Sequence, residues 1–208
     1  MTPSALKKSS STPTKSELRR ALIQRRRALI AGERAQATRR ILVRALRLPQ
    51  FKPGARIAVY VPFGSELDPA YLVRAARRRG MRLYTPVVTH LKRRRMRFVP
   101  LTEQIRSGMQ RTPGDLTRLP AVGMRWLDLV LCPVVGIDAR GYRLGMGAGF
   151  FDRALTFRRL RKIWRGPSLI ALAFDLQRID SVGPDPWDAR LDGVITESGL
   201  HPFPRWDT

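Results

Sequence analysis

Residues 127–135, LDLVLCPVV, restrict the possible folds of this chain more than any other segment. The run is apolar at almost every position and shows no alternation of apolar and polar side chains, so a strand built from it is buried on both faces. Strands of this kind occur in parallel sheets that helices cover on both sides. The sequence therefore predicts an α/β protein with residues 127–135 as a central strand.

Further short apolar runs fit the same sheet. The predicted strands are 56–62, 81–88, a segment around 96–100, 168–174 and 191–197, with 191–197 as the last strand of the chain. Between the first two, Asp68 as a cap and Pro69 at the first helical position predict a helix to about Arg79 that Gly80 ends. Such a strand–helix–strand unit is typical of a parallel sheet. Residues 102–125 predict no firm element.

The N-terminal region predicts a tail followed by a helical arm. Residues 1–14 are rich in Ser, Thr and Pro and are expected to be disordered, with a transit peptide as the alternative. A helix is expected from Ser16, which can cap it, and Gly32 interrupts the helical pattern. A second helical run is expected to stop before Pro49.

The whole chain is interpreted as one domain. With 208 residues, 43% of them hydrophobic, it can form one sizeable core. We expect a single-domain three-layer α/β/α sandwich over residues 15–200, with a mostly parallel sheet and an N-terminal helical arm, followed by a C-terminal tail at 201–208.

Cys132, within the central run, is expected to be a buried core side chain of a protein from a reducing compartment. No stretch approaches the roughly 20 apolar residues of a membrane span, and a cytoplasmic monomer is expected.

The charge is strongly positive. Lys and Arg number 40 against 16 Asp and Glu, a formal net charge of +24. Such a protein attracts polyanions, among them nucleotides, polyglutamylated cofactors and nucleic acid, and weak salt-dependent RNA binding is expected whatever its function. The arginine runs 25–27, 77–79 and 93–95 are interpreted as solvated faces, with a specific nucleic-acid function as the alternative.

The richest functional signal is the segment 136–153, GIDARGYRLGMGAGFFDR, which follows the strongest strand and precedes a helix predicted from about Gly149 to Arg161. Its glycines allow positive φ and close approach of the backbone to a ligand. Amides in front of a helix suit a phosphate, Arg143 can chelate phosphate oxygens, and Asp152 can hold Mg²⁺. The segment matches neither a P-loop nor a dinucleotide fingerprint, and a turn that only reverses the chain is the alternative.

Other candidate groups are scattered. Glu66 follows the first predicted strand, and Asp188 and Asp192 lie four residues apart near the last one. Taken singly, each carboxylate is interpreted as a helix cap or a solvated side chain. His90 and His201 lack a Cys or carboxylate set at metal-ligand spacing, so no zinc site is expected.

Read together, five segments resemble one known family. They are KSELR (15–19), YVPFGSELD (60–68), GYRLGMGAGFFDR (141–153), LIALAFDLQ (169–177) and DARLDGVITE (188–197). Their order and spacing resemble the 5-formyltetrahydrofolate cyclo-ligase, or methenyltetrahydrofolate synthetase, family. The resemblance implies an α/β sandwich that uses ATP and Mg²⁺ to convert 5-formyltetrahydrofolate to 5,10-methenyltetrahydrofolate, releasing ADP and phosphate. The formyl oxygen is expected to attack the γ-phosphate first.

The resemblance also implies a role for individual residues. The ATP-binding residues would be Lys15, Arg19, Arg143, Leu144, Gly145, Met146, Gly147, Ala148, Gly149, Phe150 and Phe151. The substrate-binding residues would be Val61, Glu66, Met146, Gly147, Ala148, Gly149 and Phe150, with Glu66 on the pterin ring. Asp152 and Asp188 would bind the metal, and Arg143, Phe150 and Phe151 would be catalytic.

The chain departs from the family pattern at three places. Phe150 and Phe151 stand where many members have two tyrosines, Ala148 stands where some have lysine, and residues 108–121 lack the family's substrate-contacting stretch before the central strand. Two alternatives therefore stay open beside the enzyme. One is a catalytically weak relative that binds ATP or folate, and the other is a basic nucleic-acid-binding protein on the same fold.

Overall fold

The computed structural model describes residues 13–106, 116, 118–156 and 166–204. Most of the predicted disordered tail, most of the segment 108–121 and the predicted helix beyond residue 156 lie outside the described residues. The helices are α1 (Lys15–Arg27), α2 (Ala31–Ala45), α3 (Ala70–Arg78), α4 (Glu103–Arg106) and α5 (Phe150–Ala154), with 3₁₀ helices at Met124–Trp126 and Asp175–Gln177. The strands are β1 (Arg56–Ala58), β2 (Arg82–His90), β3 (Arg95–Pro100), β4 (Leu129–Cys132), β5 (Gly136–Asp138), β6 (Arg143–Leu144), β7 (Ser168–Leu172), β8 (Arg178–Ile179), β9 (Gly193–Ile195) and β10 (Leu200–Pro202).

The main sheet has seven strands in the order β10-β9-β7-β4-β1-β2-β3. The strands from β9 to β2 run parallel to their neighbours, and only the edge strands β10 and β3 are antiparallel. The mostly parallel sheet is therefore confirmed. Strand β4 is fully buried and occupies the middle of the sheet, as its unbroken apolar run predicts.

Several predicted strand ends were wrong: β1, for example, stops at Ala58 and not at residue 62, and β7 at Leu172 and not at residue 174. The central strand stops at Cys132 and not at residue 135, because Pro133 follows and has no N–H to donate to a sheet ladder. The chain then enters β5, which belongs to a small separate sheet of order β6-β5-β8. Strand β9 is also not the last, since β10 returns antiparallel to it and includes residues 201 and 202 of the predicted tail.

Each face of the main sheet carries its own apolar cluster. Alternate β4 side chains divide between them: Leu129 and Leu131 pack with α2 and α3, whereas Val130 and Cys132 pack toward the other side. That second side includes Met124 of a 3₁₀ helix, Ile137 of the small sheet, and Leu155, the residue after α5. The three-layer arrangement and the buried Cys132 are confirmed.

The N-terminal helices begin and end differently from the prediction. Thr14 caps α1 and not Ser16: its hydroxyl accepts from the Glu17 N–H, and the Glu17 carboxylate accepts from the Thr14 N–H at 2.8 Å, a capping box. The break between α1 and α2 ends at Ile30, whose backbone is extended, and Gly32 lies inside α2. No helix among the described residues is long and apolar enough to cross a bilayer.

The predicted signals stand at both ends of α3, but the helix begins at Ala70 and not at Pro69, which directly precedes it. The Asp68 carboxylate accepts from the Ala70 N–H at 2.8 Å, and Gly80 ends the helix with a φ of +72°. In the segment 102–125, where no firm element was predicted, the described residues include α4, the first 3₁₀ helix and a bridge between Phe98 and Val122.

Candidate active site

The candidate residues converge on the carboxyl edge of the parallel strands. Strands β1 and β4 are parallel neighbours, so the loop that carries Glu66 and the chain that leads into the Gly-rich segment leave the same edge of the sheet. In open α/β sheets this is the edge where ligands bind. Helix α1 contacts the Gly-rich segment and the 185–188 turn through its side chains.

A buried carboxylate fixes the start of the Gly-rich segment. Asp138 accepts from the N–H groups of Arg140 and Tyr142, both at 3.0 Å, and from the more distant N–H of Val182. Gly141 closes this turn with a φ of +86°, and a Cβ there would lie 2.8 Å from the Phe203 ring. The chain therefore enters the glycine-rich stretch in a fixed direction.

The next glycines let the backbone curl in front of α5. Gly147 and Gly149 have φ values of +97° and +68°, a region that other residues rarely adopt. Gly149 is the residue before the helix, which begins at Phe150 and not at Gly149 as predicted. The curled backbone with exposed residues 146–148 is consistent with the predicted phosphate-binding loop.

Arg143 connects three parts of the site. Its Nη2 lies 2.5 Å from the Asp152 carboxylate, and its Nη1 donates to the carbonyl of Ala189, next to Asp188, at 3.4 Å. Its guanidinium also lies 5.6 Å from the centre of the Phe151 ring, within cation–π range. The side chain is only 4% exposed, so this charge is held in one place. A guanidinium has five N–H donors, and donors remain for a phosphate.

Helix α1 supplies two further cations. Arg19 donates from Nε to the carbonyl of Gly145 at 2.8 Å. Lys15 Nζ lies 2.6 Å from the Asp185 carboxylate and 3.1 Å from that of Asp188. Burial disfavours the charged amine, but the hydrogen bonds to the two carboxylates outweigh it and raise the pKa of Lys15. The two cations predicted to bind ATP therefore lie at the glycine-rich stretch and beside Asp188.

The two predicted metal ligands contact different cations of the site. Asp152 pairs with Arg143, and Asp188 with Lys15, so each carboxylate is already neutralised by a cation. No group of three or more His, Cys, Asp or Glu side chains among the described residues could hold a metal alone. Two carboxylates nevertheless fit Mg²⁺, which completes its octahedron with phosphate oxygens and water.

Glu66 is held in the loop after β1. Its Oε2 accepts from the Phe63 N–H at 3.0 Å, and the side chain is half-buried. Burial raises the pKa of Glu66, and the Phe63 N–H and the charge of Arg26 oppose this. Val61 and Phe63 are exposed beside it, 37% and 75% respectively, and leave apolar surface for a flat ring.

A buried arginine holds this loop, and the sequence did not predict it. Arg26 is 4% exposed and donates to the Ser65 hydroxyl at 3.0 Å and to the Val134 carbonyl at 3.3 Å. Arg34 donates to the Ser65 carbonyl at 2.9 Å and also to the carbonyl of Arg26. The interpretation of run 25–27 as a solvated face was wrong for Arg26, which lies four residues after Leu22 on the buried stripe of α1.

The remaining candidates differ in what they offer a ligand. The Leu144 side chain packs with Leu22, Val135 and Val182, which leaves only its backbone for contact. Met146 is 53% exposed, and Phe150 is half-buried.

Three candidates from the sequence lie outside these contacts. Asp192 accepts from the Leu169 N–H at 2.7 Å and so ties β7 to the segment before β9. The Nδ1 of His90 accepts from the Arg93 N–H in the β2–β3 hairpin, and His201 lies in β10 beside Thr196. None of the three contributes to the contacts around Arg143.

Asp185 is a site residue that sequence reasoning missed. It forms the shorter of the two contacts to Lys15, and its own N–H donates to the Asp188 carboxylate at 2.9 Å. The signal was a pair of carboxylates three residues apart in a Pro-containing turn, Asp185-Pro-Trp-Asp188.

The chain is similar to known proteins over most of its length. The model of the 5-formyltetrahydrofolate cyclo-ligase family matches residues 11–197. The 5-formyltetrahydrofolate cyclo-ligase of Escherichia coli (strain K12) is 29% identical over 84% of this chain and 96% of its own. That of Mycolicibacterium smegmatis is 32% identical over 88% of this chain and 93% of its own.

Solved structures give the same result. The 5,10-methenyltetrahydrofolate synthetase of Mycoplasma pneumoniae has a TM-score of 0.68 and 25% identity, over 88% of this chain and 98% of its own. That of Aquifex aeolicus has a TM-score of 0.71 over 93% and 95% of the two chains, and its 22% identity supports the fold alone. The match of the family model to residues 11–197 shows that the chain belongs to the 5-formyltetrahydrofolate cyclo-ligase family.

Proposed function

We propose that this chain catalyses the ATP-dependent ring closure of 5-formyltetrahydrofolate to 5,10-methenyltetrahydrofolate, with release of ADP and phosphate. Family membership supports the reaction. The observation that carries it at the level of residues is the position of Arg143, buried between the glycine-rich stretch, Asp152 and the segment of Asp188. A fixed guanidinium at that place suits a transferring phosphoryl group.

In this proposal the triphosphate lies on the backbone of residues 145–149. Lys15, Arg19 and Arg143 supply positive charge around it, and each now contacts a carboxylate or carbonyl that a phosphate oxygen can replace or share. Preformed contacts of this kind hold the cations near their ligand and lower the entropy lost on binding.

Asp152 and Asp188 would hold Mg²⁺ between them and the phosphates. Bound there, the ion would neutralise charge on the transferring phosphoryl group. The carboxylates would release their contacts with Arg143 and Lys15 to do so, which would turn these cations toward the phosphates.

The folate would enter beside the loop after β1. The Glu66 carboxylate can accept from the adjacent N–H donors of a pterin ring, while Val61 and Phe150 border the ring with apolar surface. Residues 146–149 would then border both ligands at the place where the formyl oxygen meets the γ-phosphate.

The chemistry requires activation of a poor leaving group. The formyl oxygen attacks the γ-phosphorus, an O–P bond forms, and the bond to ADP breaks, which leaves an iminium phosphate. N10 then attacks the activated carbon and loses its proton, and the C–O bond breaks to release phosphate. Arg143 would stabilise charge on the phosphoryl oxygens, whereas Phe150 and Phe151 have no hydroxyl and would act by orienting the folate and excluding water.

The test is an absorbance assay. The purified chain with 5-formyltetrahydrofolate, ATP and Mg²⁺ should give the strongly ultraviolet-absorbing methenyl product, and omission of ATP should remove the signal. Ligand-induced thermal stabilisation without any product would support the catalytically weak relative instead. If a chain shown to be folded gives no product above background, the proposed enzymatic function is wrong.

The cytoplasmic location and the monomeric state stay predictions. The single cysteine, Cys132, is buried in the sheet and fits a protein that needs no disulfide. Light scattering of the purified chain would give its mass, to be compared with the 23.7 kDa of one copy.

A further inference from the structure

The outer face of α2 has a depression that is lined mainly by arginine. Its volume is about 420 Å³, and its lining consists of Gln36, Val43 and the four arginines Arg39, Arg40, Arg44 and Arg47. These positions repeat at intervals of three or four residues, so on a helix with 3.6 residues per turn they share one face. We call the four arginines the α2 arginine row. At 1.5 Å per residue the row extends over about 12 Å.

The protein does not neutralise the charges of this row. Arg39, Arg40 and Arg47 are exposed, and among the residues that the structure describes no carboxylate lies within ion-pair distance of the row. Arg44 is half-buried and donates to a backbone carbonyl after β9 at 3.4 Å. The acidic residue of α2, Glu33, lies in its first turn. Because each guanidinium has five N–H donors, the whole row can still bind an anion.

The positive surface continues past the end of α2. Arg79, the residue after α3, is exposed and donates from Nη1 to the carbonyl of Leu46, next to Arg47, at 3.4 Å. Strand β2 begins three residues later, so this end of the row lies at the amino edge of the parallel strands. The candidate active site lies at the opposite edge. The row is therefore a surface separate from the site around Arg143.

The chemistry of the row favours nucleic acid over a membrane or a protein as the partner. A helix that lies on a membrane exposes apolar side chains beside its cations. The apolar stripe of α2, with Ile41 and Leu42, is buried in the core instead, and Val43 in the row is 36% exposed. A protein partner gains most of its affinity from anchors packed in a desolvated pocket. A phosphate backbone, by contrast, binds exposed arginines through charge and hydrogen bonds alone.

We propose that the α2 arginine row binds the phosphate backbone of a nucleic-acid duplex without regard to sequence, as an activity separate from the function proposed above. A duplex is favoured over a single strand because the lining of the depression contains no aromatic side chain on which an unpaired base could stack. One strand of a duplex has a phosphate roughly every 3.4 Å of axis, so a row of about 12 Å faces three or four phosphates. The four arginines match that number.

Helix α1 supplies a matched control. Arg20 and Arg27 are exposed on this helix. Helix α1 packs through Leu22 against Leu144 and Val182, whereas α2 packs on one face of the main sheet. Loss of two charges from α1 therefore changes the net charge equally without touching the row.

The experiment follows the fluorescence anisotropy of fluorescein-labelled RNA and DNA duplexes, two helical turns long, as the full chain is added at NaCl concentrations from about 50 to 200 mM. Each neutralised phosphate contributes about −0.9 to the slope of log K against log[NaCl], so four contacts predict a slope of about −3.6. Binding of either duplex with this dependence supports the proposal.

The variants locate the binding surface. Arg39→Gln/Arg40→Gln should bind about tenfold more weakly at low salt, with a slope smaller in magnitude by about 2. Glutamine keeps the helix propensity of arginine, so α2 should stay folded, and a thermal melt checks this. The control Arg20→Gln/Arg27→Gln should match the unmodified chain in affinity and slope.

Several outcomes would overturn the proposal. Equal losses in both double variants would mean that the overall charge of the chain, and not the row, binds the duplex. An unchanged slope in the α2 variant, or tighter binding of the corresponding single strand, would contradict the row or the duplex. Displacement of the duplex by saturating ATP and Mg²⁺ would place the nucleic acid at the glycine-rich stretch. If the α2 variant loses binding to phosphatidylserine vesicles but keeps duplex binding, the row is a membrane surface.

The methenyl absorbance assay separates this proposal from the proposed function. The α2 variant should keep kcat within about twofold, because surface changes away from the site have small effects. A chain that binds the duplex through the row but makes no methenyl product would support the row and contradict the enzyme. A chain that makes the product but does not bind the duplex would leave the enzyme and remove the row. Loss of turnover in the α2 variant would contradict a separate activity.

Discussion

At the scale of single residues, the site depends on charged side chains that each join two segments of the chain. Arg143 joins the glycine-rich stretch to Asp152 and to the carbonyl of Ala189. Lys15 joins α1 to the 185–188 turn. Folding already orients these groups, so little further free energy is needed to orient them when a ligand binds.

Replacement of Arg143 should affect turnover more than stability. Arg143→Ala removes the charge that the transferring phosphoryl group needs, and we expect kcat to fall about 100-fold or more. Arg143→Lys keeps the charge but loses the planar fork. Its kcat should therefore lie between that of the unmodified chain and that of Arg143→Ala. The measurement is the methenyl absorbance assay with a thermal melt of each variant.

The control for this prediction is Arg20→Ala, which removes an exposed arginine from α1. It should leave kcat unchanged. Equal losses in Arg20→Ala and Arg143→Ala would mean that overall charge, and not the position of Arg143, supports turnover.

Glu66 should make stability depend on pH. Its pKa is raised by burial, so the protonated form stabilises the fold at low pH, and this contribution is lost as the pH rises through the folded-state pKa. Glu66→Gln keeps a neutral side chain of similar shape. We expect its unfolding free energy to exceed that of the unmodified chain increasingly as pH rises, measured by urea denaturation at several pH values. A difference that does not vary with pH would contradict the raised pKa.

Sequence reasoning found these residues where they form part of a local pattern. Arg143, Asp152 and the glycines stand within 13 residues of one another, so their spacing was informative. The partner of Lys15 is Asp185, 170 residues away, and no local pattern predicts such a pair. The buried state of Arg26 was missed because its neighbours Arg25 and Arg27 are exposed and the run reads as uniformly polar.

At the scale of elements, α1 and the Glu66 loop form one unit through Arg26. Its guanidinium bonds to Ser65 of the loop and to the Val134 carbonyl after β4, which positions Glu66 relative to the central strand. Burial lowers the pKa of Arg26, and the charge of Glu66 opposes this effect. The desolvated charge is therefore tolerated because its donors are satisfied.

Loss of Arg26 should loosen this unit. Arg26→Ala leaves the Ser65 hydroxyl and the Val134 carbonyl short of a donor, and we expect a destabilisation of about 2–4 kcal/mol. Arg27→Ala, next to it but exposed, should cost less than about 0.5 kcal/mol. Urea denaturation of both variants measures the difference, and equal costs would show that Arg26 does not hold the loop.

The glycine-rich stretch offers a comparison within one element. Gly149→Ala forces a φ of +68° on a residue with a Cβ that would lie 3.1 Å from Arg94, and we expect a cost of about 1–2 kcal/mol with a raised KM for ATP. Gly145 has no atom within 4 Å of its Cβ position and no positive φ. Gly145→Ala should therefore leave the thermal midpoint unchanged. A similar shift in both variants would contradict the importance of the backbone conformation at Gly149.

At the scale of the whole molecule, the sequence predicted the middle of the sheet better than its edges. Strands β1, β4 and β7 are apolar except for Arg56 and Ser168 at the starts of β1 and β7, because parallel strands are buried on both faces. Strand β10, by contrast, contains Leu200, His201 and Pro202, which carry no strand pattern, and it forms because β9 offers an edge to pair with.

The net charge of +24 should be visible in the stability of the molecule. Like charges on a compact chain repel, and salt screens them over about 10 Å at 0.1 M. We expect the thermal midpoint to rise when NaCl is added from 10 to about 200 mM, measured by calorimetry. A midpoint that falls would mean that attractive ion pairs outweigh the repulsion.

The position of α1 bears on the order in which the molecule can be completed during synthesis. This helix is made first, yet Arg19 contacts a carbonyl 126 residues later, and Lys15 a carboxylate 170 residues later. Arg26 of the same helix meets Ser65 only 39 residues later, whereas Lys15 meets Asp185 only after most of the chain has left the ribosome. A nascent chain that stops before Asp185 would therefore have this helix anchored at the Glu66 loop but not at the 185–188 turn, so assembly of the proposed nucleotide-binding end is postponed until translation is nearly complete.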